Sequence, residues 1–444
     1  MGEAAKALGL SKGRISQLAL AGTLDSSFVG GRKMVGSQSV AAYARNRRSG
    51  RPAKTIAQYM LMNATHEVMR VGYDATSDLP LTPIEIIDAD RCPWGTVTRN
   101  ASGKRRELND WWRGRSIPGV RPGIDIRLAE LQVSKTYDLP FRSYGLSLSD
   151  CYWMRPAHDD TTCWRDINFF ENPFDLSHDE GWDFWLERVG LDSPDNTSEG
   201  ALPKRWTIRG NERVLLKGCR TDDQRPLNEV VATALHRRLL ADGSFVSCEA
   251  ASTVDGPACA CKNFLGVGEE YVPASALMAT MGTVRGTSLY DRYCRYVGVL
   301  GLDETAYRSG LSQMIVCDAL IANSDRHRRN FGLIRDVETL ELRPAPLFDS
   351  GNCLWYAKTT GEVERRDWSF AVKPFGPVLE QQLALVEDAS WFDDEALSGF
   401  ADEACEILAQ SAHATGGDRL SFIREGIERL RVLVSSVMSV QRWR

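Results

Sequence analysis

The sequence contains no apolar run long enough to cross a membrane as a helix, since none approaches the roughly 20 residues that such a span needs. Its N-terminus lacks the apolar core of a secretory signal, because polar and charged side chains stand where that core would be. The 444 residues include 11 cysteines but no CxxC pair, which disfavours a zinc site. These absences predict a cytoplasmic protein with free and mostly buried thiols. The length of the chain predicts two or three domains.

Positive charge is concentrated at one end of a chain whose formal net charge is −5. Residues 1–51 contain nine Lys or Arg side chains and only two acidic ones, Glu3 and Asp25, so the rest of the chain is acidic. A basic end on an acidic body indicates that this end meets a polyanion.

Residues 1–48 are predicted to form a small winged helix-turn-helix domain. A short helix over 3–8, a glycine turn and a second helix over 12–20 have helix-turn-helix spacing, and two short strands and a helix from Ser37 follow as a wing. The alternative is a helical cap with a solvated basic face. The pattern resembles the MerR/excisionase type of DNA-binding domain, in which the second helix enters the major groove. This resemblance implies DNA contacts from Lys12, Arg14, Ser16, Gln17, Arg32 and Lys33. One such module buries little surface, so specific binding calls for a homodimer on DNA.

Two acidic loops in the second half of the sequence carry the clearest chemistry. A predicted buried helix ends near Asn323 and the polar loop DRHRRN follows it, while a second loop, PAPLFDSGN, spans 344–352. Phosphoryl transfer needs one carboxylate to accept the proton of the attacking hydroxyl. It also needs a carboxylate and an amide oxygen to hold Mg²⁺. The loops offer Asp325, Asn330 and Asp349 for these roles, and the segment between the loops is long enough for a hairpin that brings them together.

The order DRHxxN followed by FDxG resembles HipA-like serine/threonine kinases and, more distantly, phosphoinositide kinases. The resemblance implies that Asp325 is the catalytic base, that Asn330 and Asp349 hold Mg²⁺, and that ATP is the phosphate donor. We expect His327 to hydrogen-bond to the loop backbone. For Arg326 two roles stay open, because it could neutralise charge near the site or lie at the surface.

The upstream segments occur in the order expected of a kinase. NTSEGALPKRW precedes a predicted strand pair and resembles the phosphate-binding loop of HipA-like kinases, with Gly200 permitting close backbone approach and Lys204 near the phosphates. The predicted strand RVLLKG ends at Lys217, and the helix that begins at Pro226 carries Glu229 in its first turn. A lysine that binds the ATP phosphates and is fixed by a helix glutamate is the kinase pairing. The alternative is a surface lysine with a glutamate that the helix dipole favours.

Together these segments predict an α+β chain with a bilobal, HipA-type kinase fold behind the winged domain. The expected parts are a HipA-like N-terminal subdomain over 55–140, a kinase N-lobe over 141–270 and a helical C-lobe over 271–444. The segment 261–274 falls where the interlobe hinge and the adenine base would lie, and WSFAVKPF (368–375) is predicted to be a strand.

The predicted function is therefore that of an ATP- and Mg²⁺-dependent serine/threonine protein kinase of the toxin type, which phosphorylates a cellular protein and itself. Kinases of this family are switched by phosphorylation of a serine in the phosphate-binding loop, where this sequence has Thr197 and Ser198. The alternative for these two residues is a turn with local hydrogen bonds to the backbone.

The family resemblance also implies partners. These are a protein substrate, such as a translation factor or an aminoacyl-tRNA synthetase, and an antitoxin, while the chain's own basic domain would bind DNA for autoregulation. Two other functions stay open. One is a DNA-binding transcription regulator whose kinase fold senses nucleotide but transfers nothing. The other is a lipid or small-molecule kinase. The sequence has no basic amphipathic stretch near the C-lobe that would favour binding to membrane lipid.

Overall fold

The computed structural model describes residues 2–8, 12, 15, 19, 24, 26–29, 32–40, 57–97, 101–121, 123–174, 189–190, 192–198, 200, 202–218 and 223–441. The chain divides into two compact units, Met1–Ala57 with Tyr73–Asp78, and Gln58–Gly72 with Leu79–Arg444. Across the described ranges, none of the helices combines the length and apolar character needed to cross a bilayer.

The first unit contains the predicted first helix and the predicted strand pair. Helix α1 (Gly2–Leu8) is followed by β1 (Ser26–Val29) and β2 (Arg32–Val35), which pair antiparallel. Its small core consists of Ala4, Ala5, Leu8, Ile15 and Leu24.

The residues predicted to contact DNA are only partly described. Lys12 is exposed in a helical segment, and Arg32 and Lys33 lie in β2. Arg14, Ser16 and Gln17 lie outside the described residues. The helix-turn-helix domain therefore stays a prediction.

The second unit begins with a four-stranded sheet in the order β5-β4-β3-β6, in which β3 and β6 pair antiparallel. Its strands are β3 (Ala57–Asn63), β4 (His66–Tyr73), β5 (Leu81–Ile86) and β6 (Tyr152–Pro156). Between β5 and β6 the chain forms α2 (Ala101–Gly114) and α3 (Ile124–Glu130), and α4 (Trp164–Ile167) follows β6. Trp112 and Trp153 are among the largest fully buried side chains here, so the aromatic residues of this region build its core.

A second four-stranded sheet, in the order β7-β8-β10-β9, carries the lysine of the kinase pairing. Its strands are β7 (Lys204–Arg209), β8 (Glu212–Lys217), β9 (Cys248–Thr253) and β10 (Gly256–Lys262), and α5 (Arg225–Leu239) packs against it. The predicted strand pair after the phosphate-binding loop and the predicted helix after RVLLKG are both confirmed. Lys217 ends β8 opposite Cys259 of β10, which points its side chain towards α5.

The expectation that all cysteines are free is wrong. Cys248 of β9 and Cys261 of β10 form a disulfide, while eight other cysteines in the described ranges are free. The two strands pair in a register that places these residues directly opposite each other. Sequence spacing did not indicate this pair, because opposition across a hairpin depends on the strand register.

The third sheet, β11-β12-β13, connects the two acidic loops to a helical lobe. It consists of β11 (Glu269–Pro273), β12 (Gly332–Asp336) and β13 (Leu342–Pro344). The helices are α6 (Ala274–Thr280), α7 (Leu289–Val299), α8 (Glu304–Leu320), α9 (Thr360–Glu364), α10 (Leu379–Leu383), α11 (Phe400–Leu408), α12 (Ala412–Thr415) and α13 (Arg419–Gln441). The predicted helical character of this lobe is confirmed. The predicted strand over 368–375 is wrong, because that segment has no regular secondary structure.

Helix α8 is central to this lobe. Asp303 caps its N-terminus by accepting hydrogen bonds from the amides of Thr305 and Ala306, at 2.8 and 3.0 Å. The second half of the helix, from Met314 to Leu320, is buried throughout, because neighbouring helices cover it on all sides. The buried end of this helix therefore fixes the position where the first acidic loop begins.

We expect the second unit to lose stability in acid because of His236 in α5. The imidazole is 3% exposed, and burial together with the charge of Arg326 lowers its pKa to about 3. In the unfolded chain this imidazole has a pKa near 6.5, so below that pH the unfolded state binds one more proton than the folded state. Stability falls by up to about 1.4 kcal/mol per pH unit as the pH drops below 6.5.

Denaturant titrations of the wild type and His236→Gln between about pH 6.5 and 4.5 measure this contribution. The variant cannot take up the proton, so its free energy of unfolding should depend less steeply on pH. Equal slopes in the two proteins would contradict the expectation.

Candidate active site

The centre of the site is a cluster of three charged side chains from three separate elements, of which two are buried. Lys217 Nζ lies 2.5 Å from Glu229 Oε1 and 2.8 Å from Asp349 Oδ1. Lys217 and Glu229 are 6% and 5% exposed. Burial alone would lower the pKa of Lys217, but Asp349 and Glu229 raise it above its usual value, so the ammonium stays charged. The predicted pair of Lys217 and Glu229 is therefore in contact, and Asp349, predicted separately as a metal ligand, contacts the same lysine.

The backbone of the second acidic loop brings Asp349 to this cluster. Asp349 has a φ of 56°, in the left-handed region that aspartate adopts more readily than most residues. Glu229 Oε2 accepts a hydrogen bond from the amide of Ser350 at 3.0 Å. A Cβ on Gly351 would lie 3.0 Å from the carbonyl of Arg225 and 3.2 Å from the Glu229 carboxylate. The glycine of FDSG thus permits the close approach between the loop and α5.

Electrostatics keep Asp349 ionised. Burial alone would raise the pKa of this carboxyl, but the charges of Lys217, Lys204 and Arg326 lower it well below its usual range. Asp349 is therefore a carboxylate at any physiological pH, as a metal ligand must be.

Asp325, the predicted base, is held on both carboxylate oxygens. Oδ1 lies 2.9 Å from Lys373 Nζ, and Oδ2 accepts a hydrogen bond from Asn352 Nδ2 at 2.8 Å. Asn330 Nδ2 donates to the carbonyl of Asp325 at 3.3 Å, which orients the Asn330 amide with its oxygen facing away from that carbonyl. Because Asn352 lies three residues after Asp349, its bond to Asp325 joins the two acidic loops at the site.

Arg326 is not a surface residue, so that role considered from the sequence is wrong, whereas its charge does act on Asp349 of the site, as the other role expected. The side chain is completely buried and pairs with Asp318 of α8 through two bonds of 2.8 and 2.9 Å. It also donates to the carbonyls of Asn330 and Phe348, at 2.9 and 2.6 Å, and to the hydroxyl of Ser350 at 2.9 Å. One guanidinium therefore ties α8 and both acidic loops together.

His327 has the structural contact that the sequence predicted. Its Nδ1 accepts a hydrogen bond from the amide of Arg329 at 3.2 Å, within the same loop. Burial lowers the pKa of this half-buried imidazole, although the charge of Asp325 acts in the opposite direction. His327 is therefore mainly neutral near pH 7 and can accept that bond.

The predicted phosphate-binding loop is held by an arginine that the sequence did not single out. Gly200 has a φ of 94°, and a Cβ at this position would lie 2.5 Å from Lys204 Nζ. Arg121, which is 1% exposed, donates to the Gly200 carbonyl at 2.8 Å and to the Ser198 hydroxyl at 2.8 Å. The glycine is thus favoured by its backbone conformation, whereas the flexible end of the Lys204 side chain could move aside.

Thr197 and Ser198, the candidates for self-phosphorylation, are each 5% exposed and hydrogen-bonded. The Thr197 hydroxyl donates to the carbonyls of Leu146 and Pro194, at 3.0 and 3.1 Å. The Ser198 hydroxyl donates to the Asp195 carbonyl at 2.8 Å. These are the local backbone bonds of the alternative considered above, so phosphorylation of either residue requires the segment to leave this position.

The donor atoms at the site fit Mg²⁺. Asp349 offers a carboxylate and Asn330 an amide oxygen, which are hard ligands of the kind this ion prefers. Within the described ranges, three or more acidic, His or Cys side chains never group closely enough to hold a metal alone. That composition suits an ion bound by one or two protein groups together with substrate phosphates.

Three supporting residues were given no role from the sequence. Arg121 and Lys373 reach the site only through the tertiary fold, whereas Asn352 ends the predicted second acidic loop. The segment of Lys373 was also predicted to be a strand, so its side chain was not expected near Asp325.

No protein-family model matches the chain. Over 42 residues the chain is 45% identical to the serine/threonine-protein kinase CtkA of Helicobacter pylori, a match that covers 10% of this chain and 13% of that protein. The chain thus spans far less than two thirds of the curated relative that it matches.

Two solved structures are similar to the chain. The crystal structure of the H. pylori proinflammatory kinase CtkA covers 54% of this chain and 94% of its own, with 16% identity and a TM-score of 0.39. HipA of Shewanella oneidensis MR-1, solved with HipB and operator DNA, covers 86% of this chain and 99% of its own, with 14% identity and a TM-score of 0.50. The likeness to that HipA shows that the mixed helix-and-sheet architecture of this chain is a HipA-like, kinase-type fold.

Proposed function

We propose that the chain is an ATP- and Mg²⁺-dependent serine/threonine protein kinase of the HipA-like toxin type. The observation that carries the proposal is the contact of Lys217 with both Glu229 and Asp349. A lysine fixed by a helix glutamate beside a metal-binding aspartate is the arrangement that active protein kinases use. A HipA-like fold around this cluster supports the same reading.

Each residue has a defined task in this proposal. Bound Mg²⁺ would neutralise charge on the ATP phosphates, held by Asp349 and Asn330. Lys217 would bind the phosphates, and Lys204 would approach them from the loop at Gly200. Phosphate transfer is mainly a matter of positioning and charge, so few further protein groups are needed.

Asp325 would act as the base. Its carboxylate would accept the proton of a serine or threonine hydroxyl as the oxygen attacks the terminal phosphate. Lys373 and Asn352 hold the two oxygens of this carboxylate, so the base is oriented before the substrate arrives.

Labelled ATP with Mg²⁺ and a lysate as acceptor tests the proposal directly. The wild type should transfer phosphate to protein, and Asp349→Asn should transfer at least about a hundredfold less, since the ion loses its carboxylate ligand. Asp242→Asn removes an exposed carboxylate outside the site and is the matched control. The proposal fails if the wild type labels no protein, itself included.

Self-phosphorylation at Thr197 or Ser198 is part of the same proposal. A phosphate there would add about −1.5 to −2 charge next to the ATP phosphates, which would oppose nucleotide binding. Ser198 would also lose the hydrogen bond that its hydroxyl donates to the Asp195 carbonyl. Phosphopeptide mapping after incubation with ATP locates the modified residue, and an unmodified loop in a protein that labels other substrates would reject this part.

We further propose that the N-terminal unit binds DNA and that an antitoxin assembles with the chain. The basic charge of residues 1–51 supports DNA binding, and the HipA that shares the fold was solved with HipB and operator DNA. The protein substrate would be a translation factor or an aminoacyl-tRNA synthetase.

Replacing Arg32 and Lys33 with glutamine tests DNA binding through the wing. If both side chains contact phosphate, the double variant should bind duplex DNA more weakly. Its plot of log affinity against log salt concentration should be shallower by about two. Fluorescence anisotropy at several salt concentrations measures this, with Arg285→Gln/Arg295→Gln as a variant of equal charge change. Identical salt slopes in all three proteins would argue against wing contacts.

A further inference from the structure

A cavity of about 470 Å³ opens beside the carboxylate of Asp325. Its position follows from Lys373, which lines the cavity and whose Nζ lies 2.9 Å from Asp325 Oδ1. The residues that line it are Ser275, His327, Arg328, Arg329, Lys373 and Pro374. A group bound here would therefore be next to the predicted base.

The lining of this cavity is strongly positive. Arg328, Arg329 and Lys373 contribute three cationic side chains, and none of the described residues that line the cavity is acidic. All three side chains belong to exposed residues. Asp325 offsets part of the charge of Lys373, and Arg328 and Arg329 add two further cationic side chains to the lining.

Hydrogen bonds hold the backbone of the two arginines in place. The carbonyl of Arg328 accepts a hydrogen bond from the amide of Ser275 at 2.7 Å, and the carbonyl of Arg329 accepts one from the hydroxyl of Tyr271 at 2.9 Å. The amide of Arg329 is bonded to His327. The guanidinium groups thus project from a rigid loop, which lowers the cost of binding a ligand between them.

This cavity is distinct from the groups assigned to ATP. Lys217, Lys204 and Asp349, which would hold the phosphates and the metal, do not line it. The catalytic carboxylate lies between the two sets, since Asp325 contacts Lys373 on one oxygen and Asn352 of the metal-binding loop on the other. That is the arrangement expected if nucleotide approaches from one direction and the acceptor from another.

We propose that this cavity binds an anionic side chain of the protein substrate, close in sequence to the serine or threonine that accepts the phosphate. The ligand would be a carboxylate of Asp or Glu or the phosphate of a phosphoserine, each of which forms charge-assisted bonds with guanidinium groups. This proposal rests on the proposed kinase function and adds a substrate class, acceptor sites in acidic stretches.

Peptides of matched sequence test the proposal with the full-length protein, ATP and Mg²⁺. One acceptor serine is flanked by Asp, by phosphoserine, by Asn or by Lys, and kcat/KM is measured for each. The wild type should favour the Asp-flanked over the Asn-flanked peptide by about tenfold, as expected for one charge-assisted contact. Comparison of the Asp and phosphoserine peptides tells whether carboxylate or phosphate is preferred.

The variant Arg328→Gln/Arg329→Gln should reduce this ratio to about one, because two of the three cationic side chains that line the cavity are gone. Arg285→Gln/Arg295→Gln, which removes two exposed arginines that do not line the cavity, should keep the wild-type ratio. The readout is a ratio within each protein, so a general loss of folded protein does not alter it.

Several results would overturn the inference. One is a wild type that phosphorylates all four peptides equally, and another is a cavity variant that retains the preference. A wild type that labels lysate proteins without being inhibited by the acidic peptide would also count against it. In these cases the kinase function stands, whereas a wild type that labels nothing defeats the proposed function and this inference together.

Discussion

Replacing Asp325 with asparagine is expected to lower the rate of phosphate transfer about a thousandfold. The amide cannot accept the proton of the acceptor hydroxyl, although it has nearly the same size and can keep a bond with Asn352. The contact of Lys217 with Glu229 and Asp349 does not involve Asp325, so nucleotide binding should persist. The defect should therefore appear in kcat, with little change in the affinity for ATP.

Single-turnover transfer from labelled ATP measures this effect, together with the affinity for a fluorescent nucleotide. Asp388→Asn is a suitable control, since its carboxylate also accepts a hydrogen bond in a loop, from the amide of Ser390. A variant that transfers at the wild-type rate would remove Asp325 from the role of base. If transfer is lost but DNA binding and every cellular effect persist, the chain acts as a DNA-binding regulator.

Replacing Arg326 with methionine is expected to lower the free energy of unfolding by about 3–5 kcal/mol. The guanidinium is completely buried, and its removal leaves the Asp318 carboxylate without its cationic partner. The carbonyls of Asn330 and Phe348 lose a donor in the same step. A buried charge without its partner costs more than the net gain from the intact pair.

Denaturant unfolding of Arg326→Met measures the loss, with Arg295→Met as a control at an exposed position. The double variant Arg326→Met/Asp318→Leu should recover part of the stability, because the unpaired carboxylate is also gone. A single variant with a loss below about 1 kcal/mol would show that the network contributes little. Phosphate transfer should decline in both variants, since Arg326 joins the two acidic loops.

The pairing of Lys217 with Glu229 could be predicted from the sequence because the two residues follow one another in a fixed order. Lys217 ends an apolar strand and Glu229 lies on the next helix. Both elements depend on local periodicity and turn residues, which a single sequence displays. Asp349 was predicted as a metal ligand from the second acidic loop, but its contact with Lys217 was not predicted, because it depends on how that loop packs against the helix.

The supporting residues could not be predicted in the same way. Arg326 stands in a polar loop among other charged residues, and nothing local distinguishes a buried arginine from an exposed one. Its burial depends on Asp318 in the preceding apolar helix, and nothing in the sequence marks that aspartate as the partner of Arg326. Arg121 reaches the phosphate-binding loop from a distant part of the sequence, and Lys373 reaches Asp325 from an irregular segment. Such contacts depend on the tertiary fold, and residue order does not encode them locally.

The hydrogen bonds of Arg121 have a further consequence for how the chain can be divided. This arginine belongs to the predicted N-terminal subdomain, yet it supports the loop that would cover the ATP phosphates. A shortened protein that starts at the predicted N-lobe would keep the lysine, the glutamate and both acidic loops, but its loop over the nucleotide would have lost its anchor. The subdomain would thus contribute to the proposed nucleotide site, and its removal would release the loop at Gly200 from this arginine.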